Sequence, residues 1–203
     1  MQTHPDRFRV AVLGGSAGGL EPYMTILGHL ARDTGMAFIV IQHRSPHQPH
    51  RLPRLLSRMT TMPVVDIEQG MRMEPNHIYI VPPRMQLLIE DDIFILRTEP
   101  RLDGWPRTID TLLRSTAAHL NGRLVAVILS GLDADGAAAL HLVKAAGGIT
   151  FAQAGAQYES MPQSACDTGC VDYVLTAHGI AQALNGLGKD KFSRPHLRAR
   201  PPS

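Results

Sequence analysis

The stretch Gly14-Gly15-Ser16-Ala17-Gly18-Gly19 satisfies G-x-S-x-G directly after an apolar, strand-like run and before a helical one. On such a turn the glycines let the backbone fold tightly around the serine, and the N–H of the next residue can face a developing oxyanion. The start of the following helix adds a favourable field for negative charge. A phosphate-binding glycine loop would share these features. However, Ser16 stands where G-x-G-x-x-G needs its second glycine, and no G-K-[ST] follows.

A nucleophilic serine needs a base, and the base needs an orienting acid. Among the ten histidines, His43 ends the apolar run Phe38-Ile39-Val40-Ile41-Gln42, at the carboxyl edge where open α/β sheets place their sites. His47 and His50 follow in a proline-rich loop, with no carboxylate or cysteine nearby to complete a ligand set, so no metal is expected. His29, His119, His141 and His178 fall in predicted helices, and His77 begins a strand. The run Val125-Ala126-Val127-Ile128-Leu129 leads into Ser130-Gly131-Leu132-Asp133-Ala134-Asp135-Gly136, again a carboxyl edge before a helix. Either Asp133 or Asp135 could orient His43, and either could instead cap the helix that follows. Ser130 competes as nucleophile but lacks the preceding glycine of a nucleophile turn.

These residues need a framework, and the periodicity supplies one. Val- and Ile-rich runs near Phe8–Leu13, Ala37–Gln42, Arg123–Leu129, Gly148–Ala152 and Val171–Leu175 alternate with helical stretches. The helices are expected at Leu20–Arg32, Leu52–Thr60, Arg107–Leu120, Ala137–Ala146, Pro162–Thr168 and His178–Leu184. Gly147-Gly148 and Gly169 fall where helix ends take a left-handed residue. Three short β runs, His77–Val81, Gln86–Ile89 and Ile93–Leu96, break the rhythm and are expected to pair antiparallel. The fold class is therefore α/β, a doubly wound three-layer αβα arrangement with a mainly parallel sheet and an antiparallel hairpin insertion. One domain is expected over residues 1–188, followed by a basic, disordered tail over 189–203.

Composition narrows the function classes. With 20 Lys+Arg against 18 Asp+Glu, the net charge of +2 gives no basic excess for nonspecific nucleic-acid binding. The longest apolar runs fall far short of the ~20 residues of a membrane span, so no membrane insertion is expected. The N-terminus lacks the basic and apolar regions of a secretory signal, which predicts a cytoplasmic protein. Two cysteines, Cys166 and Cys170, are too few for a disulfide framework or a four-ligand zinc site and are read as structural.

The chain resembles the catalytic domain of the chemotaxis protein-glutamate methylesterase family (CheB) from about Phe8 to Leu184. The resemblance rests on Gly14 to Gly19, Ile41-Gln42-His43, Glu74 to Pro83, Ser130 to Gly136, Ala145-Ala146-Gly147-Gly148, Met161-Pro162 and Gly169 to Leu175. It implies Ser16 as nucleophile, His43 as base, Asp135 rather than Asp133 as orienting acid, and the backbone N–H groups of Ala17 and Leu132 as the oxyanion hole. It further implies a serine hydrolase that removes γ-methyl esters from chemoreceptor glutamates, releasing methanol, and that can deamidate receptor glutamines. No cofactor is implied. Its partners would be the cytoplasmic helices of chemoreceptors, with a methyltransferase or response regulator as further candidates. Arg44, Arg107 and Gln163 are candidates to line the substrate cleft. The alternatives are a hydrolase of the same fold acting on a different ester or amide, and a noncatalytic regulatory module.

The sequence departs from the family pattern at four places. Asp133 stands where the family often has glycine, and Leu132 where it has methionine. Gln163 replaces a common arginine, and the loop after Gln153 is shorter and uncharged. The family's usual N-terminal receiver domain does not precede this sequence, which predicts no phosphorylation control in cis.

Overall fold

The computed structural model describes residues 8–43, 51–98 and 107–189. Seven strands form one sheet in the order β3-β4-β2-β1-β7-β8-β9, and every pairing is parallel. They are β1 (Val10–Gly15), β2 (Ala37–Gln42), β3 (Val64–Asp66), β4 (Ile78–Ile80), β7 (Leu124–Ile128), β8 (Ile149–Gln153) and β9 (Tyr173–Leu175). The central three, β2, β1 and β7, are buried almost throughout, which explains their unbroken apolar sequences: a parallel sheet covered on both faces leaves no strand side for water.

Alternate residues of each strand feed two separate cores. Val10 and Val12 face one side with α3 (Thr108–Leu120), α4 (Leu140–Ala145) and α5 (Ser160–Asp167). Ala11 and Leu13 face the other with α1 (Leu20–Gly28), α2 (Leu52–Leu56) and α6 (Ala177–Gly188). The result is the expected three-layer αβα arrangement. Gly147 and Gly169 take φ of +80° and +69°, as their positions at helix ends predict.

The antiparallel part is smaller than the sequence suggests. Among the described residues, only β5 (Met85–Glu90) and β6 (Ile93–Thr98) form a hairpin, closed by Asp91 and Asp92 with φ of +49° and +60°. Positive φ at both central residues of a two-residue turn matches the twist of the flanking strands. The hairpin buries Leu87, Ile89 and Phe94 in the core shared with α3. The run at His77–Val81, expected beside the hairpin, instead supplies β4, which pairs parallel with β2 and β3. A fully buried apolar run reads alike in either setting. Its partner β3, three residues after Pro63, is too short to announce itself by alternation. Helix ends also differ from expectation: α2 stops at Leu56, short of Thr60, and α6 runs on to Gly188, past Leu184. α1 stops at Gly28, short of Arg32, and the stretch from Ala137 opens as a 3-10 turn over Ala137–Ala139 before α4 begins. Apart from Lys189, the basic tail lies outside the described residues.

Candidate active site

Three neighbouring strands deliver the candidate residues to one sheet edge. β1 runs into Ser16, β2 into His43, and β7 into the loop carrying Asp133 and Asp135. Because β1 pairs with β2 on one side and β7 on the other, this edge is where the sheet's order reverses, the crevice in which open α/β folds bind ligands.

Backbone and buried side chains fix the turn at Ser16. Ser16 N donates to Ser130 O at 2.9 Å, and Gly19 N donates to Ser16 O at 3.1 Å. Tyr23, fully buried on α1, donates its hydroxyl to Ile41 O at 2.8 Å and so ties the helix after the serine to the strand before the histidine. That burial raises the Tyr23 pKa far above the ordinary phenol range and keeps it a neutral donor. Gly131 allows the closest approach: a Cβ there would overlap Met161 Sδ and lie 3.0 Å from Ser16 Cβ. Ser16 itself is 8% exposed. Among the described residues, neither Ala17 N–H nor Leu132 N–H donates a hydrogen bond to another group. The serine turn and the β7 loop thus both present unused backbone donors, Ala17 and Leu132 among them.

The imidazole of His43 lies between two carboxylates. Its Nε2 is 2.7 Å from Asp135 Oδ2, with Thr108 Oγ1 3.1 Å from the same nitrogen, and its Nδ1 is 3.0 Å from Asp133 Oδ2. Burial opposes the imidazolium, since the side chain is 4% exposed. The hydrogen bonds and charges of Asp133 and Asp135 outweigh that burial and push the His43 pKa up to about 9. Asp133 responds in the opposite sense: burial would raise it, but the His43 hydrogen bond and the Asp135 N–H hold its carboxyl below the usual range. The structure thus brings both candidate aspartates to the histidine. Among the described residues, no hydrogen bond joins Ser16 to His43.

Asp135 is also a cap, though not for the helix that follows it. Its carboxylate accepts from Ile109 N at 2.8 Å, Asp110 N at 2.9 Å and Gly136 N at 2.9 Å, which closes the N-terminus of α3 from across the site. The positive end of that thirteen-residue helix faces the carboxylate. Asp110, beside it, accepts from Ala139 N at 2.9 Å and from Arg107 at 3.3 Å. Burial and the charge of Asp135 raise its pKa, against the pull of Arg107.

Ser130, the competing nucleophile, is fully buried and serves as a strut. Its hydroxyl donates to Ala17 O at 2.8 Å and accepts from Tyr158 N at 3.0 Å. Arg107 reaches toward the site edge with 66% of its side chain exposed, whereas Gln163 is engaged with Asp167 at 2.7 Å on the surface of α5. Arg44, His47 and His50 lie outside the described residues. Thr108 and Tyr23 carry no sequence motif. They could have been found only by noticing that the expected α3 and α1 begin at the same sheet edge. Cys166 and Cys170 are free thiols, and no group of three or more His, Cys, Asp or Glu among the described residues could hold a metal.

Comparison with known proteins identifies the family and the fold. The CheB methylesterase family model matches residues 11–184. A Leptospira interrogans protein, provisionally named a protein-glutamate methylesterase/protein-glutamine glutaminase, is 30% identical over 92% of this chain and 98% of its own length. Protein-glutamate methylesterase/protein-glutamine glutaminase 1 of Burkholderia pseudomallei is 34% identical over 87% of this chain, but the match spans only 50% of that protein. The crystal structure of the Thermotoga maritima CheB methylesterase catalytic domain superposes with a TM-score of 0.82 at 27% identity, covering 89% of this chain and 98% of that one. With a serine turn, a histidine and an acid loop on adjacent strands of the same architecture, and a family match over nearly all the described residues, the chain belongs to the CheB methylesterase family.

Proposed function

We propose that this protein is a serine hydrolase that removes γ-methyl esters from glutamate side chains of chemoreceptors and deamidates receptor glutamines. Within that reading Ser16 is the nucleophile, His43 the base and Asp135 the residue that orients it. Residues 1–188 act as the catalytic domain. The observation that carries the reading is the convergence of Ser16, His43 and Asp135 on one crevice, with the unused N–H groups of Ala17 and Leu132 beside the serine. The relatives' names supply the substrate class.

The chemistry follows from those groups. His43 takes the Ser16 proton as Oγ attacks the γ-carbonyl carbon, and the oxyanion is held by the Ala17 and Leu132 N–H groups. Collapse expels the methoxy group, which leaves as methanol after His43 returns the proton. Water, deprotonated by the same histidine, then attacks the acyl carbon and frees the glutamate and Ser16. With a glutamine side chain the leaving group is ammonia. The exposed Arg107 is assigned to the rim of the receptor-binding cleft.

Methanol release from membranes carrying methylated receptors, compared between the wild type and Ser16→Ala at equal folded concentration, tests this. Release that requires Ser16 is the expected result. No release from the wild type in the presence of a cognate receptor, with Ser16 still labelled by an organophosphonate, would replace the receptor ester with a different substrate.

A further inference from the structure

The two ring nitrogens of His43 face two different carboxylates, and that arrangement makes a demand on protonation. A carboxylate oxygen only accepts, so Asp133 at Nδ1 and Asp135 at Nε2 together require an N–H at both nitrogens. An imidazole in that state is a cation with no lone pair to offer Ser16. Nor are the two positions equivalent. Nε2 is committed to Asp135, whose other contacts bind it to the start of α3, so Nδ1 is the nitrogen left for the serine, and Asp133 stands at it.

We propose that Asp133 is a positioning residue that competes with Ser16 for Nδ1 of His43, so that the site rests with its base held as an imidazolium and works only when Nδ1 is released. This rests on the hydrolase reading for its consequence in turnover. Release means that the Nδ1 proton leaves to solvent, past the Asp133 side chain, which is 14% exposed where Asp135 is 2% exposed. Neutral His43, still donating Nε2–H to Asp135, then presents the Nδ1 lone pair to Ser16. A receptor segment entering the crevice can favour the same change by displacing the loop at Asp133, next to the 58% exposed Leu132.

Among the described residues, the charged and titratable groups around His43 are few. The β7 loop supplies Asp133 and Asp135, and the start of α3 supplies Arg107 and Asp110, which pair with each other at 3.3 Å. β1 and β2 contribute only the neutral Ser16 and Gln42, the latter donating to Ser16 O at 3.4 Å. Arg107 acts on Asp133, lowering it, and Asp110 feels the charge of Asp135. The two aspartates therefore set the charge of the imidazole.

The test uses Asp133→Asn and Asp133→Gly. Asparagine keeps an oxygen for the bond that Asp133 Oδ1 accepts from Asp135 N at 2.8 Å, so it removes the charge while sparing the loop; glycine removes both. Two readouts are followed against pH: the His43 ring signals by NMR in a Ser16→Ala background, and the rate of Ser16 labelling by an organophosphonate. The wild-type His43 midpoint is expected near 9. In Asp133→Asn it falls by about 1–2 units, labelling at pH 7 rises ~10-fold or more, and the rates converge above the wild-type midpoint.

An unchanged midpoint overturns the proposal. So does a labelling rate that drops by one factor at every pH, the mark of a merely structural residue. If the midpoint shifts but the wild type releases no methanol from receptors, the assignment of Asp133 stands and the substrate reading fails.

Discussion

The two sides of His43 are built from the same residue type, two positions apart, yet they differ in kind. On the Asp135 side the carboxylate is 2% exposed and collects three backbone N–H donors, two of them from the first turn of α3, whose N-terminus it closes. On the Asp133 side the carboxylate is 14% exposed and accepts one backbone N–H, that of Asp135 itself. One side is part of the framework and the other is the lip of a loop. Contact with the proposed base therefore does not define a role. How firmly each partner is held decides which one orients the ring and which one modulates it.

The largest effect expected from breaking this contrast is at Asp135. Asp135→Ala leaves the α3 N–H groups without their acceptor and His43 without its buried partner, and should lower methanol release by ~10³-fold or more. The same change should destabilise the fold by ~3 kcal/mol or more in chemical denaturation. Asp133→Asn should cost less than ~1 kcal/mol by the same measurement, because asparagine keeps an oxygen for Asp135 N and the 14% exposed side chain leaves the new amide access to water. Equal losses at the two sites would erase the distinction between framework and lip.

Next in size is Gly131→Ala, which sharpens the comparison by disturbing the loop without touching either carboxylate. Its Cβ must displace the Met161 side chain or Ser16, so stability should fall by ~1–3 kcal/mol, and activity should fall further than stability explains.

A smaller effect is thermodynamic. The His43 pKa stands raised from 6.5 to about 9, so the ion pairs contribute stability that is fully present below pH 6.5 and lost as pH rises through about 9. Melting temperature should fall across that window in the wild type and less steeply in His43→Gln. An equal slope in both would mean that the flanking carboxylates do not favour the cation. The smallest effect is expected at Gln163→Ala, within ~0.5 kcal/mol and about twofold in methanol release, because its amide only bridges to Asp167 on an exposed helix face.

The sequence carried the framework side well and the lip poorly. The central strands were legible because burial on both faces demands unbroken apolar runs, and the serine and histidine sit where two of those runs end. β3 was not, since a three-residue strand shows no period, and the run at His77–Val81 that supplies β4 was legible as a strand but not in its pairing, which depends on neighbours distant in the chain. In the acid loop, residue types narrowed the candidates to Asp133 and Asp135. The backbone conformation that turns both toward one imidazole, and carries Asp135 to the start of α3 rather than to its own helix, is a tertiary property. Thr108 was invisible for the same reason.

The pairing of β1 with both β2 and β7 also governs how the enzyme comes into being. Val10 lies opposite Ala37 on one side and Leu124 on the other, so the crevice exists only after segments more than a hundred residues apart have closed onto one strand. Such closure must first overcome loop entropy and is slow. A nascent or refolding chain can therefore form α1 while the Ser16 turn still lacks the Ser130 carbonyl and hydroxyl that hold it. Hydrolytic competence should arrive only once β7 has docked beside β1.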